Sequence, residues 1–178
     1  MSKMTQKEHK DKLKILTAFM HNTLEQDHYP RSVYKFCKDS AMEEKIFYKY
    51  FGSLNSVKSM VWESFYDNVM SLLEKDKNFE QAHPKDKLLS FYFTFFEVLL
   101  LNRSYVLFAL SGDEKMMTKM GQLTSLRKSF KGFASELIEE GNVNKPTYLQ
   151  HPPKIFSEAA WVQLGFLVKF WMEDSLPI

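Results

Sequence analysis

Cysteine is nearly absent from this 178-residue chain. Cys37 stands alone, which excludes an intrachain disulfide framework and a cysteine-rich zinc site. Glycine and proline are scarce, six of each, too few for collagen-like, proline-rich or loop-dominated β architectures. No segment alternates apolar and polar residues long enough to read as a strand. The first ten residues hold no apolar stretch, so no secretory signal is expected and a cytoplasmic protein is the default. The longest apolar run, Leu88 to Leu110, spans 23 residues, enough to cross a bilayer. It carries Glu97, Asn102 and Arg103 near its middle, where each charge costs about 2.5–3.5 kcal/mol in a membrane. A buried helix with a polar interruption is expected, and no membrane partner. The five histidines (His9, His21, His28, His83, His151) show no metal-binding spacing. There is no nucleophile elbow and no glycine-rich phosphate loop. Neither a cofactor nor enzymatic activity is expected.

What the chain does contain is apolar and aromatic material: 44% hydrophobic residues, 15% aromatic, 26% charged. That composition suits one domain, or a small module fused to a larger one, with a true core and no wholesale disorder. The net charge of +2 is unevenly spread. Residues 1–60 hold 11 Lys and Arg against 7 Asp and Glu, and residues 61–178 hold 13 against 15. A mildly basic head on a nearly neutral body is compatible with a phosphate-facing N-terminal module.

Helical periodicity runs along the chain. Leu13, Leu16, Phe19 and Met20 stripe a first helix from Lys10 to about Gln26, ended by the Asp27-His28-Tyr29-Pro30 cluster. Ser32 caps a short helix to about Ser40, and another covers Glu43 to Tyr50. Ser53 caps a fourth helix reaching Lys75, and Pro84 opens a fifth at its first position. Five aromatics in six positions there, Phe91, Tyr92, Phe93, Phe95 and Phe96, cannot share one face, so protein must surround most of that helix. Asn102 to Ser104 marks a break and Ser111-Gly112 a stop. One continuous helix is expected from Met116 through Leu137 with Gly141 as its C-cap. A loop follows from Asn142 to Pro153, then a last helix from Ser157 to Glu173. The fold class is all-α: a three-helix head over residues 1–52 and a larger helical domain over 53–178.

Two short helices joined by a tight turn suggest a helix-turn-helix. Val33, Phe36 and Cys37 pack inward, Ser40-Ala41 are small enough for the turn, Met42 plugs the gap, and Phe47 and Phe51 pin the second rod. The segment resembles the TetR family of bacterial transcriptional regulators. Its strongest match is Phe47-Tyr48-Lys49-Tyr50-Phe51-Gly52-Ser53, with Ser32 on the family's capping threonine and Val57 on its final leucine. Departures are Ala41 at the turn glycine, Glu43 and Glu44 opening the reading helix, Lys45 at a glycine and Leu54 at a lysine. Beyond the head, the chain agrees with the family only in length and helical character.

The resemblance implies that the third helix enters the DNA major groove while the start of the second meets the backbone. It places Ser32 on a phosphate, and Tyr48 and Tyr50 on phosphates or base edges, the alternative for each tyrosine being burial in the head. Lys45 and Lys49, four residues apart, reach bases or phosphates or are simply solvated. Lys58 reaches a flanking phosphate, and Lys3, Lys7, Lys10, Lys12 and Lys14 form a weakly attractive arm or a frayed end. The expected partners are double-stranded DNA, a second copy of the chain and a small hydrophobic effector. Trp161, Leu164, Val168 and Trp171 are the expected dimer stripe, with intrachain packing as the alternative. Phe91, Tyr92, Phe93, Phe95 and Phe96, with Tyr105, Phe108, Met116, Met117 and Met120, line an effector cavity or simply pack. The implied function is a ligand-responsive homodimeric regulator on a palindromic operator, repression being the commoner family mode. The alternative, favoured by Glu43, Glu44 and Leu54, is a lipid- or hydrophobe-binding protein of this fold that no longer reads an operator.

Overall fold

The computed structural model describes residues 6–111, 116–143 and 145–173. Lys3 and Gly112 lie outside them, as do the side chains of Met116 and Met117. Among the described residues there are nine α-helices, one short 3-10 turn (Thr147–Leu149) and no strand. The helices are α1 (Gln6–Gln26), α2 (Val33–Asp39), α3 (Glu44–Tyr50), α4 (Leu54–Leu73), α5 (Pro84–Leu101), α6 (Arg103–Leu110), α7 (Met116–Gln122), α8 (Thr124–Asn142) and α9 (Pro153–Glu173). Local chemistry sets several boundaries. The Ser32 hydroxyl accepts from the Lys35 amide at 3.1 Å, and the Ser53 hydroxyl accepts from the Ser56 amide at 3.2 Å. Pro84 is the first residue of α5, where its missing N–H costs nothing.

The chain divides into two compact units that do not follow chain order. One joins Met1–Ser64 to Asn102–Leu123, and the other joins Phe65–Leu101 to Thr124–Ile178. In the first, aromatic rings tie the short helices together: Phe19 meets Phe36 edge-on at 5.9 Å, Phe36 meets Phe47 at 6.0 Å, and Phe47 meets Phe51 at 5.9 Å. These aromatics are all buried, so the head is held by interlocked rings and not by backbone bonds between helices. Gln122 at the end of α7 is buried in the same unit. Its amide donates to the Ala109 carbonyl at 2.9 Å and its oxygen accepts from the Trp62 indole at 3.2 Å and the Tyr29 hydroxyl at 3.3 Å. One side chain thereby fastens α6, α7, α4 and the α1–α2 connection to one another.

In the second unit Phe91 is the hub, with ring centroids of Phe95, Phe130 and Phe133 at 5.7, 5.1 and 5.3 Å. Trp161 and Leu164 of α9 join this core, Trp161 lying 6.2 Å from Phe130. The expected dimer stripe is corrected accordingly, because two of its four residues already pack within their own chain. A helix of this composition carries two apolar stripes, and periodicity does not say which faces inward. The exposed one is Ile155, Val162, Phe166 and Phe170, at 66, 49, 69 and 71% exposure. Ion pairs close the unit: Lys87 with Glu140 at 2.9 Å, and Glu158 with both Lys131 and Arg127. The hydrogen bonds from Lys131 and then Arg127 hold the Glu158 carboxyl below its ordinary range.

Several helix boundaries differ from the sequence expectation: α1 starts at Gln6, four residues before Lys10, and α4 ends at Leu73, two before Lys75. The helix expected from Met116 to Leu137 is two, broken at Leu123, since hydrophobic spacing survives a break that leaves both pieces helical. Gly141 lies inside α8 and caps nothing. Helix α9 starts at Pro153, four residues early, because proline suits a first helical position. Asn142 bridges the connection between α8 and α9, accepting from the His151 amide at 2.9 Å and donating to its carbonyl at 2.8 Å. No single helix among the described residues is long and apolar enough to cross a membrane.

Candidate nucleic-acid interface

The interface candidate is built from α2, α3 and the turn between them. Phe36 and Cys37 fill the inner side of α2, leaving Tyr34, Lys35 and Lys38 outward. At the turn, the Met42 amide donates to the Cys37 carbonyl at 2.8 Å and the Ala41 amide to the Lys38 carbonyl at 3.3 Å. Ala41 takes a φ of 48°, the left-handed conformation for which glycine is the usual choice. The strain that its side chain implies is therefore present and tolerated. Met42, between α2 and α3 in the chain, is half-buried.

Phe47, with no exposed surface, anchors α3. Glu43, the residue before the helix, has an extended backbone (φ −74°, ψ 136°) and makes no side-chain capping bond. Glu44, Lys45, Ile46, Tyr48 and Lys49 are exposed, Tyr48 at 55%. Tyr50 is half-buried and donates to Asp11 of α1 at 2.9 Å, while accepting from the Lys49 ammonium at 3.0 Å. The Tyr50 hydroxyl, assisted by Glu8 and Asp11, holds the Lys49 ammonium above its ordinary pKa. Lys49 thus remains firmly cationic but is engaged at the α3–α1 seam. Ser32 is exposed at the start of α2, its hydroxyl oxygen already accepting from the Lys35 amide. Lys58 is half-buried with its ammonium 3.4 Å from the centroid of the Tyr29 ring, where a cation is attracted to the aromatic face. Glu44, Lys45 and Tyr48 are the other exposed polar groups of α3, the Tyr48 ring meeting Phe47 edge-on at 5.4 Å. Sequence reasoning passed over Tyr34, 63% exposed on α2. With Phe36 and Cys37 inward, helical spacing already puts Tyr34 outside.

Most of the aromatic residues proposed for an effector are buried or half-buried within their own unit. Phe91, Tyr92 and Phe95 are buried in the second unit, where burial pushes the Tyr92 phenol up to about 12. Tyr105 is buried and Phe108 half-buried in the first, and burial carries the Tyr105 phenol far above its ordinary value. Phe93 and Met120 are exposed. Two surface clefts of about 500 and 490 Å³ have other linings: one includes Lys10, Lys14, Thr17 and His21, and the other Glu139, Asn142 and His151. Among the described residues no group of three or more His, Cys, Asp or Glu is placed to hold a metal ion.

An interlocked three-helix head with an exposed second rod, followed by further helices, defines an all-α helix-turn-helix protein. Residues 87–177 match the family model for the tetracyclin repressor-like C-terminal domain. This chain belongs to the TetR family of transcriptional regulators. The match corrects the expectation that the C-terminal part agrees with the family only in length and helicity, for it lies entirely there. The fold is also that of a crystal structure of a proposed TetR-family transcriptional regulator from Syntrophomonas wolfei str. Goettingen, with a TM-score of 0.71 at 17% identity, covering 93% of this chain and 84% of that one. No curated protein matches the sequence.

Proposed function

We propose that this TetR-family protein is a homodimeric, ligand-responsive repressor that binds a palindromic operator through α3. The observation that carries the reading is the build of α3: Phe47 sunk into the head, and Glu44, Lys45 and Tyr48 projecting from its outer side. Lys45 supplies charge toward DNA and Tyr48 a hydroxyl on an aromatic stem. Ser32 at the start of α2 retains a hydroxyl proton to give to a phosphate, and Lys49, Tyr50 and Lys58 add backbone contacts or hold the rods in place.

The exposed stripe of α9 supports the dimer. Ile155, Val162, Phe166 and Phe170 recur at steps of seven, four and four along one side of a 21-residue helix. A contiguous apolar face of that kind marks a protein contact. Two-fold pairing presents two heads to the two halves of a palindrome. A small hydrophobic effector that prefers one arrangement of the body shifts the dimer between states that fit and do not fit the operator.

Selection of bound sites from random duplex DNA tests the reading. The expected result is one enriched palindrome, with an affinity that falls steeply as salt rises. A second reading, a hydrophobe-binding protein of this fold without operator recognition, is favoured by the exposed carboxylates of Glu43 and Glu44. Weak binding that ignores sequence would support it instead.

A further inference from the structure

We infer that Glu44 is a base-reading residue and that it selects a cytosine in each operator half-site, an inference resting on the DNA-binding reading above. Glu43 and Glu44 are both exposed, but only Glu44 belongs to α3. Glu43 precedes the helix with an extended backbone. Glu44 is the first helical residue and stands one turn before exposed Tyr48. Residues at the start of a reading helix are those that meet base edges.

A carboxylate placed there is repelled by every phosphate it approaches, so it weakens binding to DNA in general unless it finds a hydrogen-bond donor. In the major groove guanine offers acceptors at N7 and O6, and thymine an acceptor and a methyl group. Adenine offers one amino group directly beside the N7 acceptor. Cytosine offers an amino group, and it is the natural partner of an ionised, acceptor-only side chain. The same charge therefore rewards one base and penalises the other three, which is selectivity by attraction and repulsion together. Lys45, adjacent and exposed, offsets the repulsion from flanking phosphates without removing the preference. The carboxylates that argue against DNA binding in general thus become the source of discrimination at one position.

The test is selection from random duplex DNA with the full-length protein, its Glu44→Gln variant and its Glu44→Ala variant. Glu44 is exposed, so neither change disturbs the core, and circular dichroism checks that the helices remain. The wild type should enrich a palindrome with a fixed cytosine in each half-site. Glutamine, which donates as well as accepts, should move that position to adenine while the rest of the site is kept. In fluorescence anisotropy, replacing the cytosine by thymine should cost the wild type about tenfold in affinity, and the alanine variant about twofold or less. A palindrome that stays identical in all three proteins would overturn the inference and leave the regulator reading standing. Absence of any enriched palindrome with the wild type would overturn the reading itself.

Discussion

Replacing Ala41 by glycine should stabilise the head. Ala41 holds a φ of 48° at the turn between α2 and α3. In that conformation the Cβ of an L-residue crowds the following carbonyl oxygen, at a cost of about 1–2 kcal/mol. Glycine avoids the clash but brings a more flexible unfolded chain, which costs about 0.5–1 kcal/mol. The Ala41 methyl is exposed, so little burial is forfeited with it. The difference favours glycine by about 0.5–1 kcal/mol. In a chain of this length 1 kcal/mol moves the melting temperature by about 2–4 °C, so a calorimetric rise of about 1–4 °C is expected. The urea midpoint should rise with an unchanged slope. Ala41→Val should move both in the opposite direction, because a branched side chain is worse accommodated at positive φ. Asp27, with a φ of 55°, is the internal control. Aspartate tolerates the left-handed region better than alanine, so Asp27→Gly should gain less. A glycine variant that melts below the wild type, or a valine variant that melts with it, would refute the left-handed turn and the strain assigned to it.

Three further changes probe other parts of the molecule. Gln122→Leu removes the bonds to Trp62, Tyr29 and the Ala109 carbonyl and should cost about 2 kcal/mol, seen as a lower denaturation midpoint with a changed Trp62 emission. An unchanged midpoint would mean that the network is incidental. Phe166→Glu should yield monomers by analytical ultracentrifugation with full helicity, whereas Leu164→Ala, in the core, should cost about 2–5 kcal/mol without that specific effect. Glu158 has its carboxyl held below the ordinary range by Lys131 and Arg127, so its contribution is complete at neutral pH and is lost as pH falls through the depressed value. Glu158→Gln should flatten that part of the acid unfolding profile, and an identical profile in the two proteins would assign the acid sensitivity elsewhere.

Elements governed by neighbouring residues could be read from the chain alone. Ser32 caps α2, Ser53 caps α4 and Pro84 opens α5, because each acts through backbone groups within a few residues. The inward turn of Phe36, Cys37, Phe47 and Phe51 follows from helical spacing around a head with one interior. Tertiary packing decided matters in which the same local pattern allows two answers. Both stripes of α9 are apolar, and burial in the folded unit, where Trp161 lies 6.2 Å from Phe130, made Trp161 and Leu164 the inner ones. Met116 to Leu137 keeps one helical rhythm, yet the chain breaks at Leu123, just past the point where Gln122 bonds to Ala109, Trp62 and Tyr29. Glu43 and Glu44 are adjacent carboxylates in sequence, and the start of α3 falls between them, so only the second is carried by the helix. Hydrophobicity and spacing specify that a residue is apolar and on which side of its own helix it lies. Which side becomes interior depends on partners distant in sequence, and those partners meet only in the folded chain.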